Sequence, residues 1–371
     1  MPISKTYERP NIQSMTGYSS GEQPNLAGII KLNTNENPYP ATPAVAAALA
    51  DVRVEDLRRY PQPLANEFRR VAAEYHQVDV ENIIPTNGGD ELLRLIITTF
   101  VDAGDTIAIA EPSYSLYPVL AQIQGCEVAR ISLREDWTMP VDFAAQLNAC
   151  GAKLAFIVNP HAPSGVLTPV VQLEQIAEQF EGVLVIDEAY VDFVDPDKHY
   201  NAIPLLARFD NVLILRTMSK GYSLAGLRFA YGIGSTALTS PILHKTRDSY
   251  NTDVISQVLA TAAVRDRATA ALSWDKVRQE RTRVTAALTA LGLECAPSQS
   301  NFLLARVPQG DSRYENCELM AREFYQRLKD DGILIRYFDQ PRLRDRLRIT
   351  IGTFDENQKL LQFLASYLSN H

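Results

Sequence analysis

A carboxylate and a lysine, each placed directly after an apolar run, are the two residues of this sequence best suited to chemistry. Asp187 ends the run VLVID, and Lys220 follows the run VLILR, 33 residues further along the chain. A buried carboxylate is costly unless a cation or a hydrogen-bond network meets it. Partial desolvation lowers the pKa of a lysine and makes its amine a useful nucleophile. Taken singly, Asp187 is equally consistent with a capping residue or an internal ion pair, and a lone lysine such as Lys220 is more often a solvated loop residue.

Groups suited to a phosphate occur near both residues. Gly89 and Asp90 precede the apolar stretch LLRLIITTF, where the N–H groups and dipole of a helix start favour an anion, although a glycine turn capped by Asp90 is an alternative. Ser219 and Arg228 add a hydroxyl and a permanent cation beside the lysine. A phosphate cradle, a carboxylate for a pyridinium nitrogen and a lysine for an aldehyde are together the requirements of pyridoxal 5′-phosphate. Tyr114 is a candidate to stack on the cofactor ring, or a packing residue.

The elements that must position these residues repeat one theme between residues 83 and 234: an apolar run, a turn and a helical stretch such as 170–180. Near-continuous Val, Ile and Leu runs of this kind predict an α/β fold with a largely parallel sheet covered on both faces. Ligands bind beyond the carboxyl ends of such strands, which is where the candidate residues lie. The runs are 106–110, 128–133, 154–159, 183–187, 212–216 and 229–233.

Both ends of the chain follow other patterns. Residues 1–40 are rich in Pro, Asn, Gly and Ser without a sustained period, which predicts an extended arm rather than a core element. After about residue 270 a long charged helix at 275–291 introduces mixed strands and helices, which predicts a smaller α+β domain. The predicted division is an arm at 1–40, a large domain at 41–270 and a small C-terminal domain at 271–371.

Composition excludes several function classes. The 371 residues carry 36 Lys plus Arg against 44 Asp plus Glu, a net charge of −8, which disfavours nucleic acid as a partner. The longest stretch without charged residues, 154–173, contains three prolines, so no membrane span is predicted. The first residues lack the apolar core of a secretory signal, and we therefore expect a cytoplasmic location. Four widely spaced cysteines without a CxxC pair predict no metal site.

Six short motifs occur in a fixed order along the chain. They are Leu32-Asn33-Thr34-Asn35-Glu36-Asn37-Pro38, Arg59-Tyr60-Pro61, Asn87-Gly88-Gly89-Asp90-Glu91, Asp187-Glu188-Ala189-Tyr190, Thr217-Met218-Ser219-Lys220 with Leu224-Ala225-Gly226-Leu227-Arg228, and Leu347-Arg348-Ile349-Thr350. In this order they resemble the fold type I pyridoxal-phosphate aminotransferases and, among these, the histidinol-phosphate aminotransferases. The resemblance covers nearly the whole chain. It implies transfer of an amino group between L-histidinol phosphate and 2-oxoglutarate, yielding imidazole acetol phosphate and L-glutamate, in histidine biosynthesis.

The resemblance also implies roles at the cofactor. Lys220 would bind the cofactor aldehyde as a Schiff base, and Asp187 would pair with the pyridine nitrogen. Tyr190 would hydrogen-bond the ring hydroxyl, and Tyr114 would stack on the ring. The residues implied to hold the cofactor phosphate are Gly89, Asp90, Ser219 and Arg228. The resemblance also implies a homodimer with shared active sites, in which Tyr60 would reach the phosphate bound by the partner subunit.

For the substrates, an amino donor and a 2-oxo acid acceptor, the resemblance assigns Arg348 to the anionic group, with Arg336 assisting. One guanidinium accepts either a phosphate or a carboxylate, as two half-reactions in one site require. Tyr18 and Tyr39 are expected to shape the substrate pocket.

One position departs from the family pattern. The family commonly has Asn-Asn-Pro-Thr-Gly after the central strand, and its second Asn meets the ring hydroxyl. Here Ala162 occupies that position. Asn159 or His161 is expected to supply the missing contact, unless Tyr190 acts alone. His161 is equally consistent with a structural residue of the loop.

Other functions compete with this interpretation. The segment Gly232-Ile233-Gly234-Ser235-Thr236-Ala237 is a weak dinucleotide-binding match that would favour a nicotinamide-dependent dehydrogenase. A binding-only module would not need the lysine, carboxylate and phosphate pattern together. Within the same cofactor class, an aromatic amino-acid aminotransferase or a phosphothreonine decarboxylase-like enzyme would retain the same cofactor residues, because substrate choice depends on pocket shape.

Overall fold

The computed structural model describes residues 7–24, 28–308 and 315–369. Its strands are β1 Ile30–Lys31, β2 Ile83–Thr86, β3 Thr106–Glu111, β4 Glu127–Ser132, β5 Ala152–Val158, β6 Val183–Asp187, β7 Val212–Thr217, β8 Ala230–Gly234, β9 Glu294–Cys295, β10 Phe302–Arg306, β11 Ile333–Leu334, β12 Arg336–Tyr337 and β13 Arg346–Thr350. Its α-helices are α1 Pro10–Gln13, α2 Pro43–Ala50, α3 Asn66–His76, α4 Gly88–Phe100, α5 Leu116–Gln124, α6 Phe143–Ala149, α7 Val170–Gln179, α8 Thr236–Pro241, α9 Val254–Arg265, α10 Arg267–Ala290, α11 Cys317–Asp330 and α12 Phe354–Ser369. Short 3-10 helices lie at Val54–Arg58, Val80–Asn82, Val191–Phe193, Pro196–Lys198, Ile203–Ala207 and Ala225–Leu227, and a π-helical turn at Ile242–Thr246 follows α8.

A seven-stranded sheet forms the centre of the fold, with the strand order β2-β8-β7-β6-β5-β3-β4. Strand β8 is antiparallel to both of its neighbours, and the other adjacent pairs are parallel. The predicted α/β fold with a largely parallel sheet is therefore confirmed. In the register of the sheet, Asp187 lies opposite Val158 on one side and Leu215 on the other. Three strand ends thus meet at the same edge, where a ligand site is expected.

Helices cover both faces of this sheet, as the burial of alternate residues shows. Leu184 and Ile186 belong to one apolar cluster, together with Leu173 of α7. Val185, between them, belongs to the other cluster, together with Leu92 of α4. Because successive strand residues point to opposite faces, a strand buried on both sides must be apolar throughout. This requirement explains the continuous runs of the sequence and makes the sheet a rigid base for its polar strand ends.

Two smaller sheets lie outside the central one. Strands β12, β13, β10 and β9 form an antiparallel sheet in that order, and β1 pairs in parallel with β11. The boundary predicted near residue 270 falls inside α10, which begins eight residues before the predicted start at 275. The division into an arm, a large domain and a small domain remains a prediction. Within the described ranges, none of the helices combines the length and apolar character that a membrane crossing requires.

The prediction that residues 1–40 contain no core element was wrong for the segment around β1. Leu32 is buried in the main apolar cluster, and Ile30 and Lys31 pair with Ile333 and Leu334. A two-residue strand is too short to show a period, so the pattern carries no sign of it. Its partner lies about three hundred residues away in the chain, and the pairing depends on the tertiary fold. This strand brings the arm across the carboxyl edge of the central sheet.

Candidate active site

A cavity of about 480 Å³ lies at the carboxyl edge of the central sheet, between the arm and the antiparallel sheet. Most of the residues predicted for the site line it, together with Ala162. The predicted residues in its lining are Tyr18, Gly89, Asp90, Tyr114, Asp187, Tyr190, Ser219, Lys220, Arg228, Arg336 and Arg348. The fold therefore brings together groups that are separated by more than three hundred positions in the sequence.

Asp187 ends β6 with its carboxylate turned to the cavity, and 5% of the residue is exposed. The Tyr117 hydroxyl donates to Oδ2 at 2.7 Å, and the Ala189 N–H donates to Oδ1 at 3.0 Å. Burial raises the pKa of Asp187 to about 6, against the lowering effect of these two hydrogen bonds. A cation placed against this carboxylate from the cavity would remove the cost of its burial.

Lys220 follows β7 and extends its amine into the same cavity. Nζ donates to the carbonyl oxygen of Thr34 at 2.8 Å and lies 5.9 Å from the centroid of the Tyr190 ring. Burial, followed by the charge of Arg348, lowers the pKa of Lys220 to about 8. A neutral amine is the nucleophilic form, and this pKa makes it available close to neutral pH.

The backbone after the lysine is held from two sides. The carbonyl oxygen of Gly221 accepts from Trp274 Nε1 at 2.6 Å and from Asn37 Nδ2 at 3.3 Å. A Cβ atom at Gly221 would overlap the carboxylate of Asp192, so glycine is required there. Helix α10 and the arm thus fix the turn that carries Lys220.

An anion cradle lies at the N-terminus of the 13-residue helix α4. Gly88 adopts φ +79°, and a Cβ there would come 2.7 Å from the Arg228 guanidinium, so the missing side chain lets this cation approach. Arg228 Nη2 also lies 3.4 Å from Asp90 Oδ2. The Ser219 hydroxyl accepts from Thr217 at 3.0 Å and keeps its own proton to donate. Helix N–H groups, a hydroxyl and a guanidinium are the donors that a phosphate requires.

Two arginines of the antiparallel sheet also line the cavity. Arg336 and Arg348 are cross-strand partners in β12 and β13. Arg348 Nη2 donates to the carbonyl oxygen of Asn33 at 3.0 Å, and its guanidinium lies 5.3 Å from the ring centroids of both Phe302 and Phe338. These contacts fix the plane of the guanidinium, as bidentate recognition of an anion requires.

Three polar atoms of the cavity wall lack a partner among the described residues. They are Arg348 Nε, Asn33 Oδ1 and Ser113 Oγ, all buried. Buried polar atoms are nearly always hydrogen-bonded in a folded protein. These three atoms therefore indicate a polar ligand in the cavity, and the residues around it fit one with both a phosphate and a cationic ring nitrogen.

Four predicted residues do not line this cavity, and two of them are Tyr39 and Tyr60. Tyr39 packs against the main core, and the Lys276 ammonium lies 5.0 Å from the centroid of its ring. Tyr60 is 81% exposed and stacks on Tyr250, with ring centroids 4.4 Å apart and planes inclined by 15°. The structure of the single chain thus gives Tyr39 no place in the pocket, and leaves Tyr60 facing outward.

The two candidates for the contact missing at Ala162 are also bonded elsewhere. The Asn159 side chain donates to the Thr168 carbonyl oxygen at 3.0 Å and accepts from the Thr168 N–H at 2.7 Å. His161 Nε2 lies 2.8 Å from the Pro112 carbonyl oxygen, which can only accept, so Nδ1 accepts from the Ser164 hydroxyl at 2.7 Å. Burial lowers the pKa of His161 to about 4 and keeps the ring neutral. Both side chains hold the loop together rather than lining the cavity.

Sequence reasoning missed two side chains that contact the site. Asn35 Nδ2 donates to the Tyr190 oxygen at 3.1 Å, and Tyr117 binds Asp187. Asn35 lies within the first motif of the chain, so its presence near the site was foreseeable although its partner was not. Tyr117 carries no signal in the sequence that separates it from a packing aromatic residue.

Comparison with known proteins identifies the class of protein. Residues 27–364 match the model of the family described as aminotransferase class I and II. The chain therefore belongs to the aminotransferase class I and II family.

Curated relatives narrow the comparison further. The chain is 42% identical over 363 residues to histidinol-phosphate aminotransferase 1 of Trichormus variabilis, covering 98% of this chain and 99% of the relative. It is 41% identical over 358 residues to histidinol-phosphate aminotransferase of Synechocystis sp., covering 96% and 97% of the two chains. Among solved structures, histidinol-phosphate aminotransferase from Sinorhizobium meliloti in complex with pyridoxal-5′-phosphate superimposes with a TM-score of 0.88 at 24% identity, covering 99% of each chain. The likeness to that structure shows that the fold is shared.

Proposed function

We propose that this protein is a pyridoxal-phosphate-dependent histidinol-phosphate transaminase. It transfers the amino group of L-histidinol phosphate to 2-oxoglutarate, giving imidazole acetol phosphate and L-glutamate, a reaction of histidine biosynthesis. The observation that carries the proposal is the cavity in which a lysine of lowered pKa, a buried carboxylate and an anion cradle meet. Relatives that are 37–42% identical over nearly the whole chain and carry the same name support it.

The residues of the cavity fit the cofactor. Pyridoxal 5′-phosphate, when bound, supplies an electron sink for the negative charge that develops at the substrate α-carbon. Asp187 would face its ring nitrogen and keep it protonated, because the carboxylate has no cationic partner of its own in the described hydrogen bonds. The start of α4, Ser219 and Arg228 would hold its phosphate. Tyr114 would lie against its ring.

Lys220 would act twice, first through its amine as the point of attachment and then as the proton carrier at the substrate α-carbon. Its position supports both roles, since the hydrogen bond to the Thr34 carbonyl oxygen orients Nζ and places no opposite charge on it. A ping-pong reaction follows, in which amino donor and 2-oxo acid acceptor occupy the same place in turn.

Arg348 would bind the anionic group of either substrate, with Arg336 assisting. Arg348 Nε is buried without a partner among the described residues, so a bound oxyanion would complete its hydrogen bonds. Arg336 reaches the carbonyl oxygens of Ser19 and Ser20 at 3.5 Å each, which leaves it free to adjust to substrates of different length.

We also propose a homodimer with shared active sites in the cytoplasm. Tyr60 faces away from the cavity of its own chain, and its exposed ring stands beside the exposed Tyr250, as expected of residues that serve a neighbouring subunit.

Absorbance and a substrate panel test the proposal. The purified protein should carry a cofactor that absorbs near the visible edge, and with 2-oxoglutarate as acceptor its kcat/KM should be highest for L-histidinol phosphate. Higher kcat/KM for an aromatic amino acid, or loss of carbon dioxide from O-phosphothreonine, would replace the proposed reaction by one of the related activities. Absence of any protein-bound chromophore after incubation with the cofactor would reject the whole class.

A further inference from the structure

Tyr117 touches two residues of the cofactor site although it does not line the cavity. It is the second residue of α5 and is completely buried. Its hydroxyl donates to Asp187 Oδ2 at 2.7 Å. Its ring stacks on Phe156 of β5, with centroids 4.6 Å apart and planes inclined by 6°, and meets the edge of Tyr114 at 5.5 Å and 89°. One side chain thus connects the carboxylate at the floor of the site with the aromatic ring at its wall.

We propose that Tyr117 is a positioning residue that fixes the Asp187 carboxylate and keeps it ionised for the cofactor's ring nitrogen. This inference rests on the proposed function. Tyr117 acts through Asp187 and has no contact with the cavity.

The surroundings of Asp187 explain why the phenol matters. Among the titratable groups that face this carboxylate, Asp90 of α4 and the adjacent Glu188 are acidic and disfavour its charge. Its cross-strand neighbours, Val158 and Leu215, are apolar. Two hydrogen bonds favour the charged form of Asp187, one from the Tyr117 hydroxyl and one from the N–H of residue 189. The tyrosine is therefore the one side chain of the described residues that donates a hydrogen bond to this carboxylate.

The phenol is suited to hold its proton throughout the working range. Burial, with the neighbouring Asp187 next, raises the pKa of Tyr117 well above its usual value. The phenol therefore keeps its proton and donates a hydrogen bond to the carboxylate. It does not place a second negative charge beside Asp187. The stacked Phe156 prevents the ring from turning away, so the direction of the hydrogen bond is set before the cofactor enters.

A packing role is the alternative, because a buried tyrosine between two aromatic rings stabilises a core whatever its hydroxyl does. Tyr117→Phe separates the two roles, since phenylalanine keeps the ring and loses the donor. The chain offers a matched control. Tyr200 donates to Glu188 Oε1 at the same distance of 2.7 Å, and Glu188 does not line the cavity.

The test is an infrared titration of the cofactor-free, full-length protein between pH 4 and 9. The carboxyl band that disappears in Asp187→Asn identifies the group. In the unaltered protein and in Tyr200→Phe its midpoint should lie near the pKa of about 6 expected for Asp187. In Tyr117→Phe the midpoint should rise by about one to two pKa units, the equivalent of one hydrogen bond to a charged group.

Cofactor release gives the second measurement. The dissociation constant of the cofactor at pH 7 should increase about two- to tenfold in Tyr117→Phe, in proportion to the fall in the ionised fraction of Asp187, and remain unchanged in Tyr200→Phe. An Asp187 midpoint that stays in place in Tyr117→Phe, or moves equally in Tyr200→Phe, overturns the inference. Should Tyr117→Phe not fold, Tyr117→Met removes the same donor and must give the same shift. If the unaltered protein binds no cofactor, the proposed function fails, whereas the carboxyl titration still reports on the contact itself.

Discussion

Replacing Asp187 by asparagine should stabilise the cofactor-free protein at neutral pH while it weakens cofactor binding. Burial raises the pKa of this carboxyl from 3.8 to about 6. A pKa that is raised on folding means that the native state binds more protons than the unfolded state between these two values. The stability contributed by the group is complete below pH 3.8 and is lost as the pH rises through 6. Two pKa units correspond to about 3 kcal/mol, which is the cost of the charge above pH 7.

Asparagine removes this charge and keeps the shape of the side chain. Its oxygen can accept from the Ala189 N–H, and its amide can donate to the Tyr117 oxygen, so one hydrogen bond is reversed and the phenolic proton of Tyr117 loses its acceptor. That loss costs about 1 kcal/mol. The net gain expected for Asp187→Asn is therefore about 1–2 kcal/mol at pH 7.5 and disappears near pH 4.

The assay compares denaturant midpoints of cofactor-free Asp187→Asn and unaltered protein from pH 4.5 to 8, at one protein concentration so that any subunit association is held constant. Asp90→Asn serves as the control, because it removes the same charge from a half-exposed side chain of the same cavity. With cofactor bound the order should reverse, since under the proposed function only the ionised carboxylate would hold the ring nitrogen. A stability difference that does not change with pH would refute the reasoning, because it would mean that ionisation of Asp187 does not lower the free energy of unfolding.

Three further predictions concern the rest of the site. Because the pKa of Lys220 is lowered to about 8, the rate at which the cofactor-free protein takes up the cofactor covalently should rise with pH and level off above 8. A rate independent of pH would contradict this. Lys220→Ala should bind the cofactor without the covalent absorbance. Arg348→Lys should raise the KM for both histidinol phosphate and glutamate by about tenfold, because an ammonium cannot reproduce the planar fork of a guanidinium. Arg336→Lys should raise both KM values less. An effect on one substrate alone would mean that the two anions do not share Arg348. Chains carrying Tyr60→Phe, once mixed with chains carrying Lys220→Ala and shown to exchange, should regain activity above either parent, because one of the two shared sites is then whole.

The central sheet could be predicted closely from the sequence because its physical requirement is local. A strand buried on both faces must be apolar at every position, and such runs are visible without knowledge of their partners. The run 183–187 coincides with β6, and the run 212–216 differs from β7 by one residue. Asp187 stands out for the same reason, since it is the one charged residue in the first of these runs.

Contacts made across the fold could not be predicted in this way. Thr34 accepts the hydrogen bond of Lys220 with its backbone, which any residue could do, so the sequence carries no trace of it. The start of α10 was placed too late because residues 268–273, in its first turns, carry no charged side chain like those of the later turns. His161 was a reasonable candidate for a polar contact by type, but the Pro112 carbonyl oxygen that binds it lies on a distant loop.

The contact at Ala162 illustrates how the fold compensates for a departure in sequence. Ala162 is buried in a small apolar cluster with Val158 and Phe302, against which Tyr190 packs, so this side of the tyrosine is apolar. The polar partner comes from the arm, where Asn35 donates to the Tyr190 oxygen at 3.1 Å. Since this bond occupies a lone pair, the phenolic proton of Tyr190 remains available to donate, and burial raises the pKa of Tyr190 so that the proton is retained. Under the proposed function, Tyr190 would therefore donate to a cofactor ring oxygen without an amide at position 162, because Asn35 of the arm would supply the amide that the family places there.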